Sequence, residues 1–123
     1  MDTDGDALRS LAQAYFDAAY EMDADRFASL FHPSSSVTKV DSEGEVSFTP
    51  ISDWLAAVRN IPSPKQLSGR RDDQLISIDV EGKIALLKVK LLIAPRNFTD
   101  MLSCVKSDGA WAIAQKVVTY TTS

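Results

Sequence analysis

The sequence contains one cysteine, Cys104, and one histidine, His32, among 123 residues. An intrachain disulfide is therefore excluded, as is a zinc site built from cysteines or from several histidines. No metal site and no cofactor are expected. The five glycines form no phosphate-cradling loop, and there is no strand-turn-helix nucleophile element. Apolar runs are only a few residues long, against the roughly 20 that a membrane-spanning helix needs. The opening Met1-Asp2-Thr3-Asp4-Gly5-Asp6 is acidic where a secretion signal is basic and then apolar. Basic residues are in deficit, with 13 Lys plus Arg against 17 Asp plus Glu and a formal net charge of -4. Without a Lys/Arg cluster, nucleic acid is not an expected partner. The resulting expectation is a cytoplasmic protein that binds neither membrane nor nucleic acid.

What remains is an ordinary globular composition, 45% hydrophobic and 24% charged. The length predicts a single domain over residues 1–123. A chain of this size buries roughly two-thirds of its surface without disulfide or metal.

The first half reads as helices. Thr3 caps the first, with Asp6 standing in for the usual Glu of a capping box. Leu8, Leu11, Ala12, Tyr15, Ala19 and Met22 recur at helical spacing. Asp23 caps a second helix carrying Phe27, Leu30 and Phe31, which should end at His32 because Pro33 disfavours helical geometry before it. Short strands are expected at Ser36–Val40 and Glu45–Phe48 around a Ser42-Glu43-Gly44 turn. Thr49 is the expected cap of a third helix with Pro50 at its first position. Ile51, Trp54, Leu55, Val58 and Ile61 form its apolar face, and Pro62 stops it.

The second half reads as strands. Ile76, Ile78 and Val80 alternate with polar residues. A Glu81-Gly82 turn would pair Ile78 with Ala85, Ile76 with Leu87 and Asp73 with Lys90. Apolar alternation continues from Ala85 to Ile93. A Pro95-Arg96-Asn97 turn leads to a strand in which Phe98, Asp100, Leu102 and Cys104 share a face. The last strand runs from Ala110 to about Thr121. A three-residue Ser107-Asp108-Gly109 loop would set Asp100 opposite Lys116. A two-residue Asp108-Gly109 loop would set Asp100 opposite Val117. The three-residue loop is preferred because it gives both charges a partner.

Three helices followed by a strand meander is an α+β pattern, with helices covering one sheet face. The other face carries Leu86, Leu92, Met101 and Val105, with Trp111 as a further candidate. A partly apolar, uncovered face predicts a homodimer through the sheet.

Tyr15-Phe16, Met22-Asp23, Phe27 and Leu30-Phe31-His32-Pro33 resemble the opening helices of the nuclear transport factor 2-like superfamily. The stretch Asn97–Leu102, then Lys106, Asp108-Gly109, Trp111, Ile113 and Lys116, is similar to its bacterial lumazine-binding branch. That branch stands near polyketide-cyclase-like and ketosteroid-isomerase-like proteins. The resemblance implies a cone in which three N-terminal helices and a curved antiparallel sheet, a cystatin-like fold, enclose a pocket. It also implies that two cones pack sheet to sheet. Superfamily members include isomerases, dehydratases, cyclases and proteins without chemistry, so fold alone does not assign function. No flavin or pterin motif is present.

By that resemblance, Tyr15 and Asp100 fall where ketosteroid isomerases carry an oxyanion-hole tyrosine and a protonated acid. The position of their general base is held by Lys39, and Asp41 is displaced toward a turn. Independently of family, Asp100 sits on an apolar alternation, and a buried carboxylate must be paired or protonated. Lys116 is its expected partner. Trp54 is a candidate pocket wall. His32 is a candidate general base, although a cation at a helix end also has a structural role. Arg70 or Arg71 could receive an anionic group at the pocket mouth. Cys104 is expected to be an inert small hydrophobe. The favoured reading is a domain binding a small apolar or aromatic ligand at Tyr15, Trp54, Asp100, Lys116 and Arg70. The alternatives are an isomerase, cyclase or dehydratase using Tyr15 and Asp100, and a dimerisation or scaffolding module.

Overall fold

The computed structural model describes residues 3–122. Helix α1 spans Asp4–Glu21, and the Thr3 side chain accepts the Asp6 N–H at 3.1 Å. Its buried stripe includes Leu8, Leu11, Ala12, Tyr15 and Ala19. Asp23 caps α2, Ala24–Leu30, by accepting the N–H groups of Asp25 and Arg26. Strand β1, Phe31–Val40, begins at once. His32 therefore lies in the start of a strand and not in a helix end, because the residue before a proline is pushed to extended geometry. Strand β2 is Val46–Pro50 and helix α3 is Ile51–Val58. The expected Thr49 cap does not form, since Thr49 belongs to β2 and Pro50 holds the cap position without a side-chain acceptor. Ile61 lies beyond the end of α3.

Four strands follow: β3, Gln74–Glu81; β4, Ile84–Ile93; β5, Arg96–Ser107; and β6, Ala110–Thr122. They complete a six-stranded sheet in the order β2-β1-β6-β5-β4-β3. The sheet is mixed and not antiparallel, because β6 runs parallel to β1. Alternation in the sequence marks which residues share a face. It says nothing about which distant strand becomes the neighbour. Helix α1 packs on β3, β4 and β6, and α3 packs on β1 and β2. Leu8, Leu87, Leu102 and Ile113 are fully buried between the layers.

Three turns differ from expectation. The β3–β4 turn is Gly82-Lys83, so Ile78 pairs with Leu87 and Val80 with Ala85. Gly82 supplies the left-handed φ of 58°. An irregularity between Leu75 and Ser77 then sets Lys90 opposite Gln74, not Asp73. The β4–β5 turn is Ala94-Pro95, so Arg96 and Asn97 already belong to β5. The β5–β6 turn is the two-residue Asp108-Gly109, with φ of 51° and 79°. Two positive φ angles match the right-handed twist of a tight hairpin, and Asp-Gly accommodates them well.

The two-residue loop pairs Ser107 with Ala110 and Cys104 with Ile113. Ala114 is then an extra residue, and pairing resumes at Ser103 with Gln115. Asp100 consequently stands opposite Val118, and Leu102 stands opposite Lys116. The bulge, not the loop, turns Lys116 inward. The two-residue loop places Trp111 and Ile113 on the inner face. Trp111 donates its indole N–H to Asp4 at 3.1 Å, and Lys106 reaches the same carboxylate at 2.8 Å. These bonds hold the Asp4 carboxyl below its usual range. Trp111 is therefore not part of the outer sheet face.

Candidate functional site

Inward side chains form rows across the sheet. One row is Ser47, Lys39, Val118, Asp100 and Val89, contributed by β2, β1, β6, β5 and β4. The next is Thr49, Val37, Lys116, Leu102 and Leu87. Above them stand Tyr15 from α1, Phe27 from α2 and Trp54 from α3. A cavity of about 530 Å³ opens between these layers, lined largely by apolar side chains. That volume suits a small-molecule ligand.

One polar cluster sits in its wall. The Tyr15 hydroxyl donates to Asp100 Oδ2. Lys116 Nζ lies 3.8 Å from the same oxygen. The ammonium also faces the Trp54 ring at 4.3 Å and the Tyr15 ring at 5.4 Å from their centres, a cation–π arrangement that partly replaces water. Trp54 is held in turn by edge contacts with Phe27 at 5.0 Å. Asp100 is only 1% exposed and Lys116 8%. The second carboxyl oxygen, Asp100 Oδ1, is buried and has no hydrogen-bond partner among the described residues. A native fold rarely leaves such an acceptor unmatched.

Burial dominates the electrostatics. It raises the Asp100 carboxyl, while Lys116 and the Tyr15 bond oppose the rise. Burial lowers the Lys116 ammonium, Asp100 opposes that, and the charge of Lys39 adds to it. Burial and then the Asp100 carboxylate push the Tyr15 phenol well above its usual value. Cys104 is buried, and burial pushes its thiol up to about 12, which leaves it unreactive.

The fold thus brings Tyr15, Trp54, Asp100 and Lys116 to one cavity. It does not bring His32 or Arg70 there. His32 is exposed and its Nδ1 accepts the Ser34 N–H at 3.1 Å. Arg70 is exposed and pairs with Asp72 at 3.2 Å. Arg71 pairs with Asp17 and Asp73 and covers the Tyr20 ring, which ties the segment before β3 to α1. Asp41 accepts the N–H groups of Glu43 and Glu45 and so closes the β1–β2 turn. Two charged cavity residues were not among the expected binding set, Lys39 and Arg96. Lys39 alternates with Val37 on β1, a pattern visible in the sequence. Arg96 carries no such signal, because it sits beside a turn.

The model of the family described as "Putative lumazine-binding" matches residues 3–119. A search of curated proteins gave no match. Among solved structures, the chain is similar to an "NTF-2 like protein of unknown function" from Silicibacter pomeroyi, at 24% identity and a TM-score of 0.82. That match covers 94% of this chain and 93% of the other. A protein with a cystatin-like fold from Caulobacter vibrioides matches at 23% identity and a TM-score of 0.68, covering 96% and 89%. A ketosteroid isomerase-like protein from Erwinia carotovora atroseptica matches at 10% identity and a TM-score of 0.71, covering 95% of each chain. These likenesses establish a shared fold, the nuclear transport factor 2-like one.

Proposed function

The chain belongs to the "Putative lumazine-binding" family, and from that premise we propose that it is a small-molecule-binding domain whose ligand occupies the cavity beside Trp54 and the Tyr15–Asp100–Lys116 cluster. The observation that carries this reading is a largely apolar cavity of about 530 Å³ with the polar cluster of Tyr15, Asp100 and Lys116 in its wall. A flat aromatic ligand with one polar group would pack on Trp54 and turn that group toward the cluster.

An isomerase or cyclase reading needs a base within reach of the ligand. Among the described cavity residues, Asp100 is the sole carboxylate and there is no histidine. Asp100 is engaged by Tyr15 and Lys116, and the other proton-accepting side chain there is the Lys39 amine, so binding without chemistry is favoured. A pure scaffolding role is disfavoured by the size of the cavity. The reading includes one domain over residues 1–123, a cytoplasmic location, and a cone in which the sheet curves around the ligand. Among the described residues, no helix is long and apolar enough to cross a membrane.

A thermal-shift panel of small fused-ring aromatics, lumazine among them, tests the site. A bound compound should raise the melting temperature by preferential binding to the native state. That shift, measured against each variant's own unliganded value, should shrink in Asp100→Asn and Tyr15→Phe. A hit whose shift is the same in wild type and both variants would remove these residues from the site.

The reading also includes a homodimer through the outer sheet face. There Phe48 is 77% exposed, and Val117 and Met101 follow on neighbouring strands. Leu86 is also exposed, whereas Leu92 and Val105 are half-buried. Sedimentation should give a dimer for the wild type and a monomer for Val117→Lys. A wild type that stays monomeric at high concentration would end this part of the proposal.

A further inference from the structure

We infer that the ligand carries an anionic group, a carboxylate on an aromatic ring system, that is received by Lys39 with the hydroxyls of Ser47 and Thr49. The inference rests on the pocket reading above and names the class of molecule that fits it.

The charged groups lining the cavity are Asp100, Lys116, Lys39 and Arg96. Asp100 and Lys116 compensate one another. Arg96 is exposed and lies over the Tyr120 ring at 4.3 Å. Lys39 is half-buried, and no hydrogen bond or ion pair engages its ammonium among the described residues. The cavity therefore holds an excess of positive charge while the whole chain carries -4. The field of Lys39 is felt at Lys116, whose ammonium it disfavours. A bound anion would relieve that repulsion, and in a partly desolvated cavity the attraction exceeds that of a surface pair. A cationic or amine ligand would meet the opposite cost.

Donors complete the receptor. Ser47 is the cross-strand partner of Lys39, and Thr49 follows it on the same face of β2. Both line the cavity. Lysine is a flexible point charge that does not demand a fixed carboxylate orientation, and flanking hydroxyls can supply that orientation. The spacing sets the ligand's length. Lys39 and Asp100 share one row with β6 between them, so their Cα atoms are about 10 Å apart by strand spacing. A fused two-ring system with a donor at one end and the acid at the other spans the two residues' side chains.

The probes are a hydroxynaphthoate, with its hydroxyl and carboxylate at opposite ends, and the matching hydroxynaphthamide, which keeps the shape and loses the charge. Affinity is measured by calorimetry at neutral pH on the intact protein. The acid should bind about tenfold or more tighter, the value of one hydrogen-bonded charge contact. Lys39→Met should abolish that preference by weakening the acid about tenfold more than the amide. Lys39→Arg should retain it. Equal binding of acid and amide to the wild type would overturn the inference and leave the pocket reading intact. Equal weakening of both probes by Lys39→Met would also overturn it. Failure of both probes to bind the wild type would overturn the inference and the pocket reading together.

Discussion

Replacing Asp100 with leucine should destabilise the fold by about 3–5 kcal/mol, the cost of leaving a buried charge without its partner. The stranded group is Lys116, 8% exposed and enclosed by Trp54 and Tyr15. Urea unfolding gives the number directly, because midpoint and slope separate stability from compactness. The loss should shrink as pH rises toward the ordinary lysine value. Without Asp100 the folded-state lysine is lowered further, so the unfolded chain binds more protons and stability climbs with pH. Lys116→Met alone should cost less, since Tyr15 still bonds the carboxyl and that carboxyl can protonate. The Asp100→Leu/Lys116→Met double variant should recover most of the first loss. About 1–3 kcal/mol should remain for the orphaned Tyr15 hydroxyl, and Tyr15→Phe on that background should remove it. A double variant no more stable than Asp100→Leu would show that the two charges do not compensate.

Leu87→Ala should cost about 2–5 kcal/mol, the range for a fully buried leucine whose cavity cannot collapse. Leu87 is 0% exposed and sits between Leu102 and Ile78 under α1. Its chain neighbour Leu86 points to the other face and is 40% exposed. Leu86→Ala should change monomer stability by less than about 1 kcal/mol. The contrast tests the assignment of faces, since a strand slipped by one residue would exchange the two results. Equal losses at the two positions would contradict it.

The same alternation explains how much of the fold was readable. Period-2 patterning identified the inward set Ala85, Leu87, Val89, Leu91 on β4 and Asp100, Leu102, Cys104 on β5, because burial on one face forces that pattern. Helical spacing identified the α1 stripe, and capping side chains fixed where α1 and α2 begin. Turn positions were read less well. A shift of one residue at Gly82 or Asp108 costs little locally, so local composition selects only weakly between neighbouring registers.

The site was legible only in part for the same reason. Tyr15, Asp100 and Trp54 lie on clear apolar faces, which is why they could be singled out. Lys116 does not. Continued from Ile113 without interruption, alternation puts Lys116 on the outer face. Its inward position depends on the extra residue Ala114, and nothing in the sequence around Ala114 marks a bulge. Arg70 and His32 looked equally plausible as chemistry. Yet Arg70 has Asp72 at hand and His32 lies where the chain leaves α2 for the sheet, so neither is carried to the cavity.

By itself, then, the sequence determined the elements, the faces they bury and the need to neutralise an aspartate among apolar residues. Scarce cysteine and histidine narrowed the chemistry before any fold was known. The tertiary structure alone decided that β6 lies between β1 and β5, and that a bulge turns Lys116 toward Asp100. It also decided that Lys39 faces the cavity with no partner among the described residues. The physical reason is common to all three. Periodicity is a local property of a chain, whereas the pairing of distant strands and the meeting of charges from separate strands depend on long-range contacts, which local patterning does not encode.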